Sequence, residues 1–193
     1  VCPWCFIGKR RLEAAVAMVR RDHPDCTWRT RWLPFFLNPD MPPAGEPYLP
    51  FLERKFGSRA AVEALFARVQ AAGRGWGIDY AFDRITLRAN TLRAHRLIHW
   101  AQRTGSADAL VERLFVAQFQ RGEAVGDPAL LAAIAGECGY AAGAAAAYLA
   151  STQDEEVVRE QERRVRALGI AMIPTFILPG GTLVVGAEDP SVL

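Results

Sequence analysis

Histidine, methionine and cysteine are scarce in this chain: three, three and four among 193 residues. The scarcity removes one class of metal site, since a zinc ribbon needs a second CxxC or a histidine pair at ligand spacing, and neither accompanies Cys2 and Cys5. His95 and His99 stand at i and i+4 of a helical stretch, yet no glutamate completes an HExxH pattern and the surrounding run is rich in arginine. Four cysteines are also few for a secreted disulfide scaffold, and two of them, Cys26 and Cys138, stand alone. No apolar run approaches the roughly 20 residues of a membrane span; the alanine-rich stretch around Ala141 to Ala147 is short and is broken by Gly143. An excess of one charge is missing as well. The 23 basic and 21 acidic residues are scattered, net +2, without the basic block or aromatic-basic interleaving that follows a phosphate backbone. Neither a membrane nor a nucleic-acid partner is expected. The remaining composition, 51% hydrophobic and 23% charged, suits one compact domain or a domain carrying a large insertion. The chain has no initiator methionine, so a targeting signal would lie upstream, and the compartment is not legible.

What is present begins at the first residues, VCPWCFIGKRRLEAAVAMVRR. Between Phe6 and Arg21 the residues Leu12, Ala15, Val16 and Val19 fall at i, i+3, i+4 and i+7, with Lys9, Arg10, Arg11 and Arg20 mostly on the other face. The CxxC therefore opens an amphipathic helix. At that position the first cysteine receives unpaired backbone N–H groups and the positive end of the helix dipole, which favour thiolate over thiol. Cys2 is then the candidate nucleophile and Cys5, one turn further in, the candidate resolving thiol. Pro3 offers no N–H to either sulfur and Trp4 adds an apolar contact surface. Half a metal site and a structural disulfide write the same CxxC, although a disulfide across so small a loop removes little chain entropy.

Further along, Trp28, Thr30 and Trp32 alternate with Arg29 and Arg31, which predicts a strand over Thr27 to Leu33. Pro34 to Pro50 holds six of the twelve prolines and reads as a long ordered loop. The aromatics Trp28, Trp32, Phe35 and Phe36 read as sheet-core and loop anchors, and alternatively as a chaperone-like peptide-holding surface. From Tyr48 to about Leu168 the pattern is helical, broken at GRGWG (Gly73 to Gly77). Asn90 reads as the N-cap of TLRAHRLIHWAQRTG with Gly105 as its stop, Asp127-Pro128 as a helix start, and Thr152 with Glu155 as a capping box. After Gly169, Thr175 to Leu178 and Thr182 to Val185 are short strands joined by Pro179, Gly180 and Gly181, a hairpin. A proline before a strand, as in Ile173-Pro174, marks either an edge or a cis peptide whose neighbouring backbone can pair with an extended substrate. Sheet elements at both ends and helices between them place the helical block as an insertion in an α/β core. The expected division is residues 1–48 and 169–193 for the core and 49–168 for the insertion. Cys26 and Cys138 read as small buried apolar residues.

CPWC opening a helix, with IPTF and a hairpin much later, resembles the thioredoxin superfamily with a helical insertion, the DsbA-like arrangement. The stretches RWLPFFLNPDMPPAG, ERKFGS, FDRITLRANTLRAHRLIHWA, LFVAQFQRGEAVGD and GIAMIPTFIL resemble, in the same order, recurring segments of its FrnE-type branch. The resemblance implies an α/β fold with a thioredoxin-like core, its first strand upstream of Val1 and a last helix beyond Leu193, so that a domain starting at Val1 is expected to be poorly stable. It implies a thiol-disulfide oxidoreductase or disulfide isomerase with Cys2 attacking, Cys5 resolving and Pro174 as a facing cis-proline. Pro3, Trp4, Ile173, Thr175, Asn90 and His95 are the implied substrate contacts. Protein disulfides or low-molecular-weight thiols are the implied partners, glutathione a candidate redox partner, no metal or other cofactor is required, and the setting implied is cytoplasmic. A sister group, the kappa-class glutathione transferases and 2-hydroxychromene-2-carboxylate isomerases, typically carries serine where Cys2 stands; it supplies the alternative of a glutathione-dependent transferase or isomerase.

Overall fold

A computed structural model describes residues 1–193. Helix α1 (Pro3–Asp22) starts on Pro3, whose fixed φ suits the first helical turn and whose missing N–H would have had no intrahelical partner. Phe6 and Ile7 on this helix are completely buried, each contributing about 2–3 kcal/mol of apolar transfer free energy. The proline loop then leads to strand β1 (Glu46–Pro47), helix α2 (Tyr48–Phe56) and helix α3 (Arg59–Arg74), the last capped by Ser58, which accepts from the Ala61 N–H at 3.1 Å. A 3-10 turn (Phe82–Arg84) and strand β2 (Leu87–Arg88) follow, β2 pairing antiparallel with β1 in the register Glu46 to Arg88. Helices α4 (Leu92–Ala101) and α5 (Asp108–Val116) come next, and α5 runs on into a π-helical turn, Ala117–Arg121. Helices α6 (Pro128–Glu137), α7 (Ala142–Ala150) and α8 (Glu155–Ala167) complete the block. Strands β3 (Thr175–Ile177) and β4 (Leu183–Val185) form the expected hairpin, with Thr175 opposite Val185.

Two apolar clusters hold these elements together. One joins α4, α5, α6 and α7 around Leu97, Leu110, Leu131 and Ile134. The other takes Phe6 and Ile7 of α1 into a set of rings contributed by the middle of the chain, Tyr80, Phe82, Phe115 and Phe119. Trp32 and Ile98 pack against both. The helix bearing the CxxC is thus anchored inside the helical block. Lys9, also on α1, is buried among these groups and is compensated by Glu13 at 2.5 Å and Glu112 of α5 at 2.8 Å, as a buried cation must be.

The structure departs from the sequence reading at five places, one being the end of α4, which stops at Ala101 instead of running to the expected stop at Gly105. Thr27 to Leu33 forms no strand, because no neighbouring backbone pairs with it. A side chain takes that place in part: Gln102 Oε1 accepts from the Trp32 N–H at 2.6 Å and its Nε2 donates to the Trp32 carbonyl at 3.0 Å. Thr152 and Glu155 make no capping box; Asp154 precedes α8 in a left-handed conformation, and the Glu155 carboxylate pairs instead with Arg96 at 3.4 Å. Asn90 stands one residue before the N-cap position of α4, which Thr91 occupies, although its Oδ1 still accepts from the Leu92 N–H at 3.0 Å. Cys26 is exposed, since α1 ends at Asp22 and the following turn lies on the surface, whereas Cys138 packs against the α4–α7 cluster.

Candidate active site

Cys2 occupies the N-cap of α1 with extended backbone angles, which places its side chain beside the backbone N–H groups of the first turn. Cys2 and Cys5 are both free thiols, and the Cys5 N–H bonds the Cys2 carbonyl at 3.1 Å. The Cys2 pKa is lowered to about 7, first by a hydrogen bond from the Cys5 thiol and then, against the opposing effect of burial, by the Cys5 and Trp4 backbone N–H groups. The same hydrogen bond, with burial, holds the Cys5 thiol well above its ordinary range. One proton is thereby shared out unequally: the pair titrates as a unit, and its first loss leaves a thiolate at Cys2.

Three elements fix this corner. Tyr80, buried and with its phenol pKa raised by burial, donates its hydroxyl to the Pro3 carbonyl at 2.6 Å and so ties the CxxC turn to the aromatic cluster. Across from it, the Cys2 thiol faces the Ile173 carbonyl at 3.8 Å, and the Ile173-Pro174 peptide bond is cis. Gly8, one turn beyond Cys5, lets the Pro174 ring approach: a Cβ there would stand 2.9 Å from Pro174 Cγ and 3.2 Å from the Phe176 ring. Sequence reasoning missed both Tyr80 and Gly8. For Gly8 a signal existed, a glycine inside a helix next to a CxxC, since glycine is disfavoured there unless backbone and neighbour must come close. Tyr80 carried none, because an aromatic before a turn is common in any core.

Two cavities meet at Cys2. The first, of about 300 Å³, runs between residues 28–37 and β3 and has Cys2, Cys5, Trp32, His95, Ile173 and Pro174 among its walls. Thr175 also lines it, while its hydroxyl donates to the Met172 carbonyl at 2.6 Å. The second, of about 350 Å³, shares Cys2 and Leu37 with the first and includes Pro3 and Trp4. Of the residues expected at the site, only Asn90 lines neither; its amide donates to the Met41 carbonyl at 2.6 Å and pins the proline loop to the start of α4. His95 sits edge-on to Phe36, and burial drives its pKa down to about 4, so at neutral pH it is an uncharged wall of the first cavity. His99 lines the same cavity, its Nδ1 3.3 Å from the Gln161 amide nitrogen.

The whole chain, residues 1–193, matches the DSBA-like thioredoxin domain. It is 24% identical to the uncharacterized protein YwbO of Bacillus subtilis (strain 168) over all of this chain and 88% of that protein. Its structure superposes on that of a probable DsbA oxidoreductase from Streptomyces coelicolor with a TM-score of 0.88 and 30% identity, covering 99% of this chain and 82% of the other. A 2-hydroxychromene-2-carboxylate isomerase shares the fold at a TM-score of 0.68 and 17% identity, over 96% and 84% of the two chains. With a free dithiol at a helix N-terminus, a facing proline and a helical insertion, the chain belongs to the DSBA-like thioredoxin domain family.

Proposed function

We propose that this protein is a thiol-disulfide oxidoreductase or disulfide isomerase of the FrnE-type branch, exchanging its Cys2-Cys5 dithiol with disulfides of proteins or low-molecular-weight thiols. The observation that carries the reading is the split of the two thiols, Cys2 lowered to about 7 and Cys5 raised, at the first turn of α1. A thiolate at Cys2 bonds to one sulfur of the substrate disulfide, and the other substrate sulfur leaves as a thiolate. Cys5 then gives up its proton, bonds to the Cys2 sulfur, and releases the second substrate thiol; the reverse order donates a disulfide. An extended substrate pairs along Ile173, with Pro174 and Thr175 beside it and Trp4 offering an apolar contact. No metal or organic cofactor takes part, glutathione is a redox partner, and the setting is the cytoplasm.

Equilibration in glutathione buffers, read by alkylation and mass spectrometry, tests this. A reversible two-electron transition confined to Cys2 and Cys5 supports it, and the potential assigns direction, reductants lying near about −270 mV and strong oxidants near about −120 mV. A pair locked in one state, or a stable glutathione adduct at Cys2 alone, overturns it in favour of glutathione-dependent chemistry on a small molecule.

A further inference from the structure

We infer that the second cavity beside Cys2 is a substrate site for small aromatic disulfides that carry an anionic group, a reading that rests on the dithiol exchange proposed above and names a substrate for it. Its volume, about 350 Å³, is within the range of ligand sites, and Cys2 is part of its wall. The lining is aromatic. Tyr48 and Phe66 stack nearly parallel, Phe66 stacks on Phe82 at 4.3 Å between ring centroids, and Trp4 and Phe51 close other sides.

Among the polar side chains of this lining, which include Asn38 and Thr91, two stand out: Gln118, buried without a partner, and Arg88, a cation with donors to spare. Gln118 is only 4% exposed, and its Oε1 has no hydrogen-bond partner, which in a closed core costs about 1–3 kcal/mol. It lies in the π-helical turn Ala117–Arg121, a backbone form that recurs at functional sites. Arg88 lies flat on Phe51, its guanidinium carbon 3.6 Å from the ring centroid. Nη1 is engaged by Glu46 at 2.8 Å, and the remaining guanidinium N–H groups have no protein acceptor and stay open to solvent, free to meet an anion. At the rim, Lys55 is exposed and makes no ion pair. An aromatic ring fits the stacked walls, a carboxylate or similar anion suits Arg88 and Lys55, and the amide of Gln118 hydrogen-bonds a polar substituent.

A disulfide R–S–S–R placed there meets Cys2 directly. The Cys2 thiolate bonds to the nearer sulfur as the S–S bond breaks and R–S⁻ departs. Cys5 loses its proton to solvent, bonds to the Cys2 sulfur and expels the second R–S⁻. Two electrons pass from the dithiol to the substrate, giving two thiols and a Cys2-Cys5 disulfide that a dithiol such as dithiothreitol reduces again.

The test uses the reduced protein and three probes: dithiobis(nitrobenzoate), uncharged dithiodipyridine, and sulfur-free para-nitrobenzoate, whose binding is followed by calorimetry. Saturation of the rate with dithiobis(nitrobenzoate), and competition by para-nitrobenzoate, are expected. Arg88→Gln should weaken the anionic probes on the order of 10-fold and lower the rate ratio of charged to uncharged disulfide by a similar factor. Gln118→Met, a near-isosteric change that removes the unpaired amide, carries the test if Arg88→Gln does not fold: its thermal midpoint should rise while para-nitrobenzoate binding weakens. No binding of para-nitrobenzoate to the wild type, or equal binding by Gln118→Met, overturns the inference. Insulin reduction is measured in parallel. Its absence strikes at the exchange reaction itself, whereas insulin reduction without saturation by the aromatic probe strikes at this site alone.

Discussion

The Cys2 sulfur lies 3.8 Å from the carbonyl oxygen of Ile173, a residue 171 positions away in sequence. The contact joins the first turn of α1 to the start of the C-terminal hairpin, and the reactive corner exists only because both are held against one another.

The first prediction concerns the thiol pair. Alkylation of Cys2 by iodoacetamide should rise with pH through a midpoint of about 7. In Cys5→Ala the hydrogen bond from the Cys5 thiol is gone, so the midpoint should climb toward the ordinary thiol value of about 8.5. An unchanged midpoint would assign the lowering to the helix N-terminus alone.

Gly8 offers a steric test. Gly8→Ala places a methyl group 2.9 Å from Pro174 Cγ and should cost about 1–3 kcal/mol while slowing exchange at Cys2, because Pro174 must retreat. Gly143→Ala, in α7 and facing open space, should instead stabilise by about 0.5–1 kcal/mol. Urea titrations and insulin turnover of both variants give the comparison; equal effects would remove Gly8 from the site.

His95 predicts an acid sensitivity. Its folded pKa of about 4 lies below the unfolded value of about 6.5, so between those values the unfolded chain binds more protons and stability falls as pH falls. The loss from this group is at most about 3 kcal/mol, complete below about pH 4. In His95→Gln the urea midpoint should change less between pH 7 and 4.5 than in the wild type. The same drop in both proteins would place the sensitivity elsewhere.

Arg96 is the strongest stability prediction. It is 1% exposed, and its guanidinium donates to the carbonyls of Ser151 at 2.7 Å, Gln153 at 2.9 Å and Tyr148 at 3.0 Å. Arg96→Met removes the donor of the Ser151 and Gln153 carbonyls in the turn between α7 and α8, while the Tyr148 carbonyl keeps the Ser151 N–H and hydroxyl, a loss of about 3 kcal/mol. A urea midpoint within error of the wild type would contradict this.

Local patterns in the sequence determined a good deal of this protein. Apolar spacing and a proline at the first turn specify α1, Asp127 and Pro128 start α6 as expected, with the Ala129 N–H bonded to Asp127 at 2.8 Å, and the β3–β4 hairpin follows from two short apolar runs around Pro-Gly-Gly. These are decided within one or two turns of chain, where neighbours in sequence are neighbours in space. The CxxC motif likewise places a thiol at the start of α1, where a helix N-terminus acts on whichever residue caps it.

Tertiary structure decided the rest. Alternation at Thr27 to Leu33 satisfies the periodicity of a strand, but a strand requires a partner, and here Trp32 finds the amide of Gln102 instead. Glu155 has the spacing of a capping box, yet the buried Arg96 offers its carboxylate a stronger, charge-assisted contact. Tyr80 reaching Pro3, Gly8 admitting Pro174, and Gln118 and Arg88 facing the cavity beside Cys2 all join residues far apart in the chain. Sequence supplies the pair of thiols; only packing decides what stands around it.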